Sequence, residues 1–296
     1  MAGQQRVYKQ KISATSTLKK VFRAMELIAA SRIAKARHAA EGIDPYSQAL
    51  VQAVASVAAH AHLDHPFLKE RTDTQKVAVL VVTSDRGMAG AYSAVVLREA
   101  EKLLAKLESE GKEPVLYVAG RRGESYFRFR GREIVKSWTG NSDSPKPETA
   151  WDIGNEIIAA YRAEPQDGGI AEFHVVFTRF ETMVRQVPQV RRMLPLEVVE
   201  GEDDLSAQPL YIFEPSPDEV LDALLPMYVR QRIHAQLLQA AASELASRQQ
   251  AMHAATDNAE DLIRSYTRLA NNARQAEITT EITELISGAD ALAAGR

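Results

Sequence analysis

The sequence predicts an α/β protein: a long antiparallel two-helix coiled coil built from its N- and C-termini, plus a central domain of alternating strands and helices. Three observations carry this. From residue 252 onward, small or apolar side chains recur at Met252, Ala255, Ala259, Leu262, Tyr266, Leu269, Ala273 and Ala276. That unbroken alternation of three and four is the seam of a left-handed coiled coil, which needs a second helix to cover it. Near the other end, Leu18, Val21, Met25 and Ile28 repeat at the same spacings in an alanine-rich stretch. Between the two ends, Val/Leu runs alternate with helical patterns, the signature of a parallel, Rossmann-like sheet.

In chain order, residues 13–40 read as the first helix, with Arg32 and Lys35 at the next seam positions. Gly42, Asp44 and Pro45 mark a kink or break, Asp44 suited to cap and Pro45 to open a helix. A second helical face follows at Ile43, Tyr46, Leu50, Val54, Val57 and Ala61. Residues 76–83 are a continuous Val/Leu run, typical of a strand buried on both faces. A glycine-bearing turn at 84–90 leads into an amphipathic helix over 92–110, stopped by Gly111. Residues 114–118 form a second strand, 121–129 a helix, 133–138 a third strand and 148–162 another helix. Polar loops fall at 139–147 and 163–169. Residues 172–180 and 184–194 can pair as a hairpin, 210–213 as a last short strand, and 203–206 form a loose connection. Pro226 is the last proline, and no glycine falls between Gly201 and Gly288. A helix from 227 to 287 therefore meets no breaker and spans roughly 90 Å at 1.5 Å per residue. Its seam extends back through Leu245, Ala241 and Leu238, interrupted at Arg248. Because the intervening chain must leave and return at one end, the two terminal helices run antiparallel. The resulting segments are 1–65, 74–213 and 217–296.

Composition narrows the function. The 296 residues carry a net charge of −3, so no global field recruits nucleic acid or membrane. There is no cysteine, which removes disulfides, thiolate metal sites and cysteine nucleophiles and suits a reducing interior. The longest apolar run, 77–82, is far too short to span a bilayer, and residues 1–13 lack the apolar stretch of a secretion signal.

Four local patterns have both a plain and a functional reading. The strand–turn–helix at 77–91 resembles a phosphate cradle, but it is neither G-x-G-x-x-G nor a P-loop; a structural turn is the simpler reading. His60, His62 and His65 sit close together, yet they end a helix before Pro66, where imidazolium suits the helix dipole. No Ser/His/Asp arrangement or isolated carboxylate pair marks an active site. Residues 6–37 carry nine Lys or Arg against the single acid Glu26. That bias fits a solvated helix face, a nucleic-acid arm, or docking onto acidic loops of a protein.

Three stretches, in order, resemble the gamma subunit of F-type ATP synthases of bacterial type. They are Ala24-Met25-Glu26-Leu27-Ile28-Ala29-Ala30-Ser31 within residues 12–40; the turn Thr83-Ser84-Asp85-Arg86-Gly87-Met88-Ala89-Gly90-Ala91-Tyr92; and the C-terminal pattern Ile278, Thr279, Glu281, Glu284, Gly288, Ala289. The thiol-regulated segment of the chloroplast type is missing. The resemblance implies a non-catalytic central-stalk rotor that couples proton flow to ATP synthesis. Its partners would be the alpha and beta subunits as a hexamer, the epsilon subunit and the membrane-embedded c-ring. It would need no cofactor or metal, bind no nucleic acid, sit once per complex and lie peripherally on the cytoplasmic face of the cell membrane.

By the same resemblance, Arg274, Gln275, Thr279 and Glu281 take torque or catch contacts with the hexamer, with Lys20, Arg23 and Met25 opposite on the first helix. Ile282, Leu285 and Ile286 fall in an apolar bearing. Tyr211, Phe213 and Glu214 are candidates for the foot against the c-ring and epsilon. The other readings are a coiled-coil scaffold around a nucleotide-free domain, or a nucleic-acid-binding arm.

Overall fold

The computed structural model describes residues 2–60, 67–196 and 213–294. The chain divides into two compact units, one of residues 29–248 and one of residues 1–28 with 249–296. The first helix, α1 (Ala2–Gly42), and the last, α6 (Pro217–Ala294), each contribute to both.

The larger unit is built on a five-stranded sheet: β1 (Lys76–Val82), β2 (Glu113–Ala119), β3 (Lys136–Trp138), β4 (Glu172–Phe180) and β5 (Gln186–Leu194), in the order β3-β2-β1-β4-β5. The first four run parallel, and β5 closes one edge as the antiparallel arm of the expected hairpin. The Val/Leu run of β1 is buried along almost its whole length because the sheet is covered on both faces. Val77, Val79 and Val81 face α3 (Tyr92–Ser109) and α4 (Arg121–Phe129). Ala78, Leu80 and Val82 face α2 (Asp44–His60), α5 (Pro147–Arg162) and α6. Alternation along one strand thus feeds two separate cores. Residues 210–212 of the anticipated last strand, the connection at 203–206, and Ala61, His62 and His65 lie outside the described residues; so does the His60 side chain.

Helix α6 starts on a capping serine. Ser216 Oγ accepts from the Glu219 backbone N–H at 3.3 Å, and Pro217 takes the first helical position. Pro226 lies inside the helix without ending it. On both sides of it, Leu221, Leu225, Val229, Ile233 and Leu237 form a buried row against the sheet and α5. Gly154 of α5 permits this approach, since a Cβ there would stand 2.6 Å from Arg230 Cγ. A second face of α6, Ala242, Leu245 and Ala246, packs on Ile33 and Ala36 of α1. The Gln231 amide donates to Ser47 Oγ at 3.0 Å, so within this unit α6 descends as α1 and α2 ascend.

The smaller unit repeats this antiparallel pairing. Glu26 meets His253 at 3.1 Å, Lys19 meets Glu260 at 2.6 Å, and the Lys11 ammonium lies 5.4 Å from the Tyr266 ring centroid.

The seam itself departs from the expected register. On α1 the side chains turned inward are Lys19, Phe22 and Glu26 in the smaller unit, and Ala29, Ile33 and Ala36 in the larger. Each lies one residue beyond the expected Leu18, Val21, Met25, Ile28, Arg32 and Lys35. Leu18, Val21 and Ile28 are 52, 48 and 53% exposed. On α6 the row Met252, Ala259, Tyr266 and Ala273 holds, but its companion is Thr256, Ile263 and Ala270 rather than Ala255, Leu262 and Leu269. The reason is steric and electrostatic together. The chosen rows bring Ala29, Ala36, Ala259 and Ala270 inward, so the backbones approach closely. They also leave Arg32 and Lys35 in water, where a charge belongs.

The register gives a direct prediction. Ile33, 4% exposed, should lose about 2–4 kcal/mol of stability on replacement by alanine. Ile28→Ala should change the unfolding midpoint of the purified chain little. Equal losses at both positions would contradict the observed seam.

Two buried histidines add a pH dependence. Burial pushes His174 and His234 below their ordinary value of 6.5, against the opposing pull of Glu172 and Glu148 respectively. A depressed folded value means the unfolded chain binds the proton more readily. Stability from these two sites is complete above pH 6.5 and declines as pH falls through the folded values. Chemical denaturation between pH 7 and about 5 should show a decline that His234→Gln partly flattens.

Candidate functional site

The residues singled out on the terminal helices all lie in the smaller unit and are mostly solvent-facing. Lys20, Arg23, Arg274, Gln275, Thr279 and Glu281 are exposed, and Met25 is half-buried. Arg23 Nη1 lies 2.9 Å from both Glu26 oxygens, and Glu26 also holds His253. Lys19 holds Glu260 below the usual carboxylate range. Thr279 Oγ1 donates back to the Gln275 carbonyl at 2.9 Å, which fixes its rotamer along the helix.

The structure does not set the two halves of this group opposite one another. Lys19 and Glu26 flank Glu260 and His253, whereas Arg274 and Gln275 lie about 20 Å farther along α6 at 1.5 Å per residue. Counting residue for residue from the Lys11–Tyr266 contact, α1 reaches its first described residue, Ala2, level with Gln275. Beyond that point Ile278, Ile282, Leu285 and Ile286 are 44, 51, 73 and 58% exposed. These four share one end of α6 with no helix over them among the described residues. Four apolar side chains in water are unfavourable by about 25 cal/mol per Å² of surface that a partner removes.

In the larger unit, the turn after β1 is a structural knot. Gly120, at the end of β2, has φ 103°, and a Cβ there would stand 2.1 Å from the Thr83 carbonyl oxygen, so only glycine fits. Thr83 Oγ1 accepts from the Gly123 N–H at 2.9 Å. Asp85 is the centre. Its carboxylate accepts backbone N–H groups of Arg121 at 3.0 Å, Gly140 at 2.8 Å and Ser142 at 2.9 Å. An internal carboxylate therefore occupies the start of α4, where a phosphate-binding fold would place its ligand. Leu237 of α6 closes over the same strand ends, leaving a cavity of about 20 Å³ lined by Val82, Gly120, Trp138 and Ser142. That holds one water at most.

A family model described as ATP synthase matches residues 4–292. Over 296 residues the chain is 63% identical to the ATP synthase gamma chain of Beutenbergia cavernae, covering 99% of this chain and 100% of that one. The chain belongs to the ATP synthase gamma chain family. The gamma chain of Kineococcus radiotolerans is 55% identical over 296 residues, covering 99% and 98% of the two chains. The rotor of the Euglena gracilis mitochondrial ATP synthase shares the fold, with a TM-score of 0.68 at 11% identity over 94% of this chain and 100% of that one.

In this gamma-chain family member, two of the three foot candidates fall within the described residues. Phe213 is half-buried against the core beneath α6, and Glu214 is exposed; Tyr211 lies outside. Among the described residues no group of three His, Asp or Glu side chains is arranged to hold a metal. No helix there is long and apolar enough to cross a membrane.

Sequence reasoning marked Arg248 of α6 only as a break in the seam and passed over Glu244. Glu244 and Arg248 are 1% and 6% exposed, with Arg248 Nη2 2.6 Å from Glu244 Oε1. Burial pushes the Glu244 carboxyl up while Arg248 pulls it down, and Tyr92 beside the pair is pushed well up by its own burial. The available signal was the arginine interrupting an apolar seam, with a glutamate four residues earlier.

Proposed function

We propose that this chain is the central rotor shaft of a bacterial F-type ATP synthase, a non-catalytic subunit that carries torque between a proton-driven c-ring and an alpha/beta hexamer. The observation that carries the reading is the antiparallel helix pair whose longer member runs past its partner, ending in exposed Ile278, Ile282, Leu285 and Ile286. A sleeve of other subunits covers such a tip, and apolar side chains let it turn there because dispersion and hydrophobic contacts have no direction to break.

In this reading Arg274, Gln275, Thr279 and Glu281 make the catch contacts near the tip. Lys20, Arg23 and Met25 make a second set lower on the shaft. Segments 1–65 and 217–296 form the shaft and 74–213 the domain that meets epsilon and the c-ring, with Tyr211, Phe213 and Glu214 at the foot. One copy serves each complex, held peripherally at the cytoplasmic face of the membrane.

The test is co-expression with the alpha, beta and epsilon chains and the membrane sector of the same organism. The chain should co-purify with them, and ATP-driven proton pumping should disappear from membranes lacking it. Pumping that persists without the chain would overturn the proposal.

A further inference from the structure

Apolar packing between the sheet and the terminal helices resists separation, and it resists rotation once a turn is large enough to bring a buried row into water, but it gives little stiffness against small turns. Hydrogen bonds, charge-assisted ones included, weaken steeply with angle. If the larger unit must pass torque from its sheet to its own stretches of α1 and α6, directional contacts placed off the helix axes are the means. For α6 they come from β4 and β5: Ser243 Oγ donates to the Thr178 carbonyl at 3.1 Å, the Phe180 N–H donates to Gln239 Oε1 at 3.2 Å, and Ser247 Oγ donates to Gln186 Oε1 at 3.2 Å. For α1 a loop supplies one.

Residues 139–146, between β3 and α5, fold around a turn in which the Ser144 N–H donates to the Asn141 carbonyl at 3.0 Å. The loop is tied to the sheet side twice. Asp85 accepts the Gly140 and Ser142 N–H groups, and in return the Asp85 N–H donates to Ser142 Oγ at 2.8 Å. Asn141 Nδ2 donates to Thr149 Oγ1 at 2.7 Å, fixing the loop to the start of α5. On the other side, the Arg32 guanidinium of α1 donates to Asp143 Oδ2. Ser142 also stands near Glu244 of α6 and favours its ionised form. Glu244 Oε2 is left without a hydrogen-bond partner, so this carboxylate depends on the neighbours that remain. Beside the loop lies a groove of about 610 Å³, lined by Arg32, Lys35, Asp143, Pro145 and Leu238, in which α1, the loop and α6 meet.

We propose that the 139–146 loop is the torsional tie between the sheet and α1, with Ser142, held to Asp85, and Asp143, bonded to Arg32, as positioning residues that lock α1 against rotation. The proposal rests on the rotor reading above and adds a place where torque crosses from domain to shaft. The Arg32–Asp143 pair is part-exposed and contributes little to stability. Its effect is geometric: with it in place, α1 cannot turn past the loop without breaking a charge-assisted bond.

The test uses the assembled complex carrying Ser142→Ala with Asp143→Ala. Two readouts are taken: protons pumped per ATP hydrolysed, and the angular spread of a bead carried on Lys106→Cys, an exposed α3 position in a chain without cysteine. The expected result is a loss of pumping per ATP with hydrolysis maintained and a wider angular spread, with a thermal midpoint lowered only by the loss of the Asp85–Ser142 bond. Asp143→Glu in an otherwise unaltered chain should keep both readouts at their original values. Unchanged pumping and unchanged spread in an assembled double variant would overturn the tie. If the double variant fails to assemble, Asp143→Ala alone carries the test with the same two outcomes. Failure of the rotor reading shows separately, as a complex with the unaltered chain that does not rotate, and the proposal then falls with it.

Discussion

Arg248→Ala should destabilise the chain by about 3–5 kcal/mol, because it strands the Glu244 carboxylate in a dry interior. The pair is 1% and 6% exposed, one Glu244 oxygen already lacks a partner, and Tyr92 packs beside it fully buried. The freed charge is left with too few donors, so the side chain must take up a proton or the helix must open. The loss is a large fraction of the roughly 5–15 kcal/mol that holds a typical protein folded. Replacing both partners together, Glu244→Leu with Arg248→Met, removes the charge along with its counter-ion and should be close to neutral. Urea unfolding of the single and double variants measures the difference. A single variant as stable as the unaltered chain would mean that the carboxylate finds another partner.

The second large effect concerns the tip. Arg274→Ala with Gln275→Ala should lower ATP hydrolysis coupled to rotation by about tenfold, the equivalent of one charge-assisted hydrogen bond. Both side chains are exposed and α1 ends level with Gln275, so their removal disturbs no packing within the smaller unit. The thermal midpoint of the chain should therefore stay put while turnover of the complex falls. Turnover and proton pumping at unaltered levels would remove these two residues from the catch. The corresponding change lower on the shaft, Lys20→Ala, acts at a separate place, so its effect should add to the first.

Local order was readable wherever one residue pattern had one structural use. The run at 76–82 could only be a strand covered on both faces, and Arg121–Phe129 was bounded by turn residues on each side. The hairpin of β4 and β5 followed from two apolar runs with a short polar link. The seam was harder. Helix α1 carries two adjacent apolar rows, one with Leu18, Val21 and Ile28 and another with Phe22, Ala29 and Ile33. Both repeat at three and four, so periodicity alone does not choose between them. Leu18, Val21 and Ile28 stand in the row that faces water. Their burial would have carried Arg32 and Lys35 inward with them.

The candidate site divides the same way. Its members on α6 follow from a contiguous motif, and the structure puts Arg274 through Ile286 on one stretch of helix as that motif requires. The distance between that stretch and Lys20 or Arg23 depends on how far α6 overshoots α1, which no single helix records. The knot at Asp85 was equally out of reach. Its partners Arg121, Gly140 and Ser142 lie 36 to 57 residues away along the chain.

By itself the sequence determined that the ends are long helices, that a parallel sheet lies between them, and which family the chain joins. Each of these is written in local spacing and in motifs of neighbouring residues. Tertiary structure alone decided which row of each helix faces inward, which described residues of α6 have no helix beside them, and how the loop at 139–146 meets α1. Those choices turn on how closely two backbones can approach and on which charges can stay in water, and both are properties of surfaces brought together by folding.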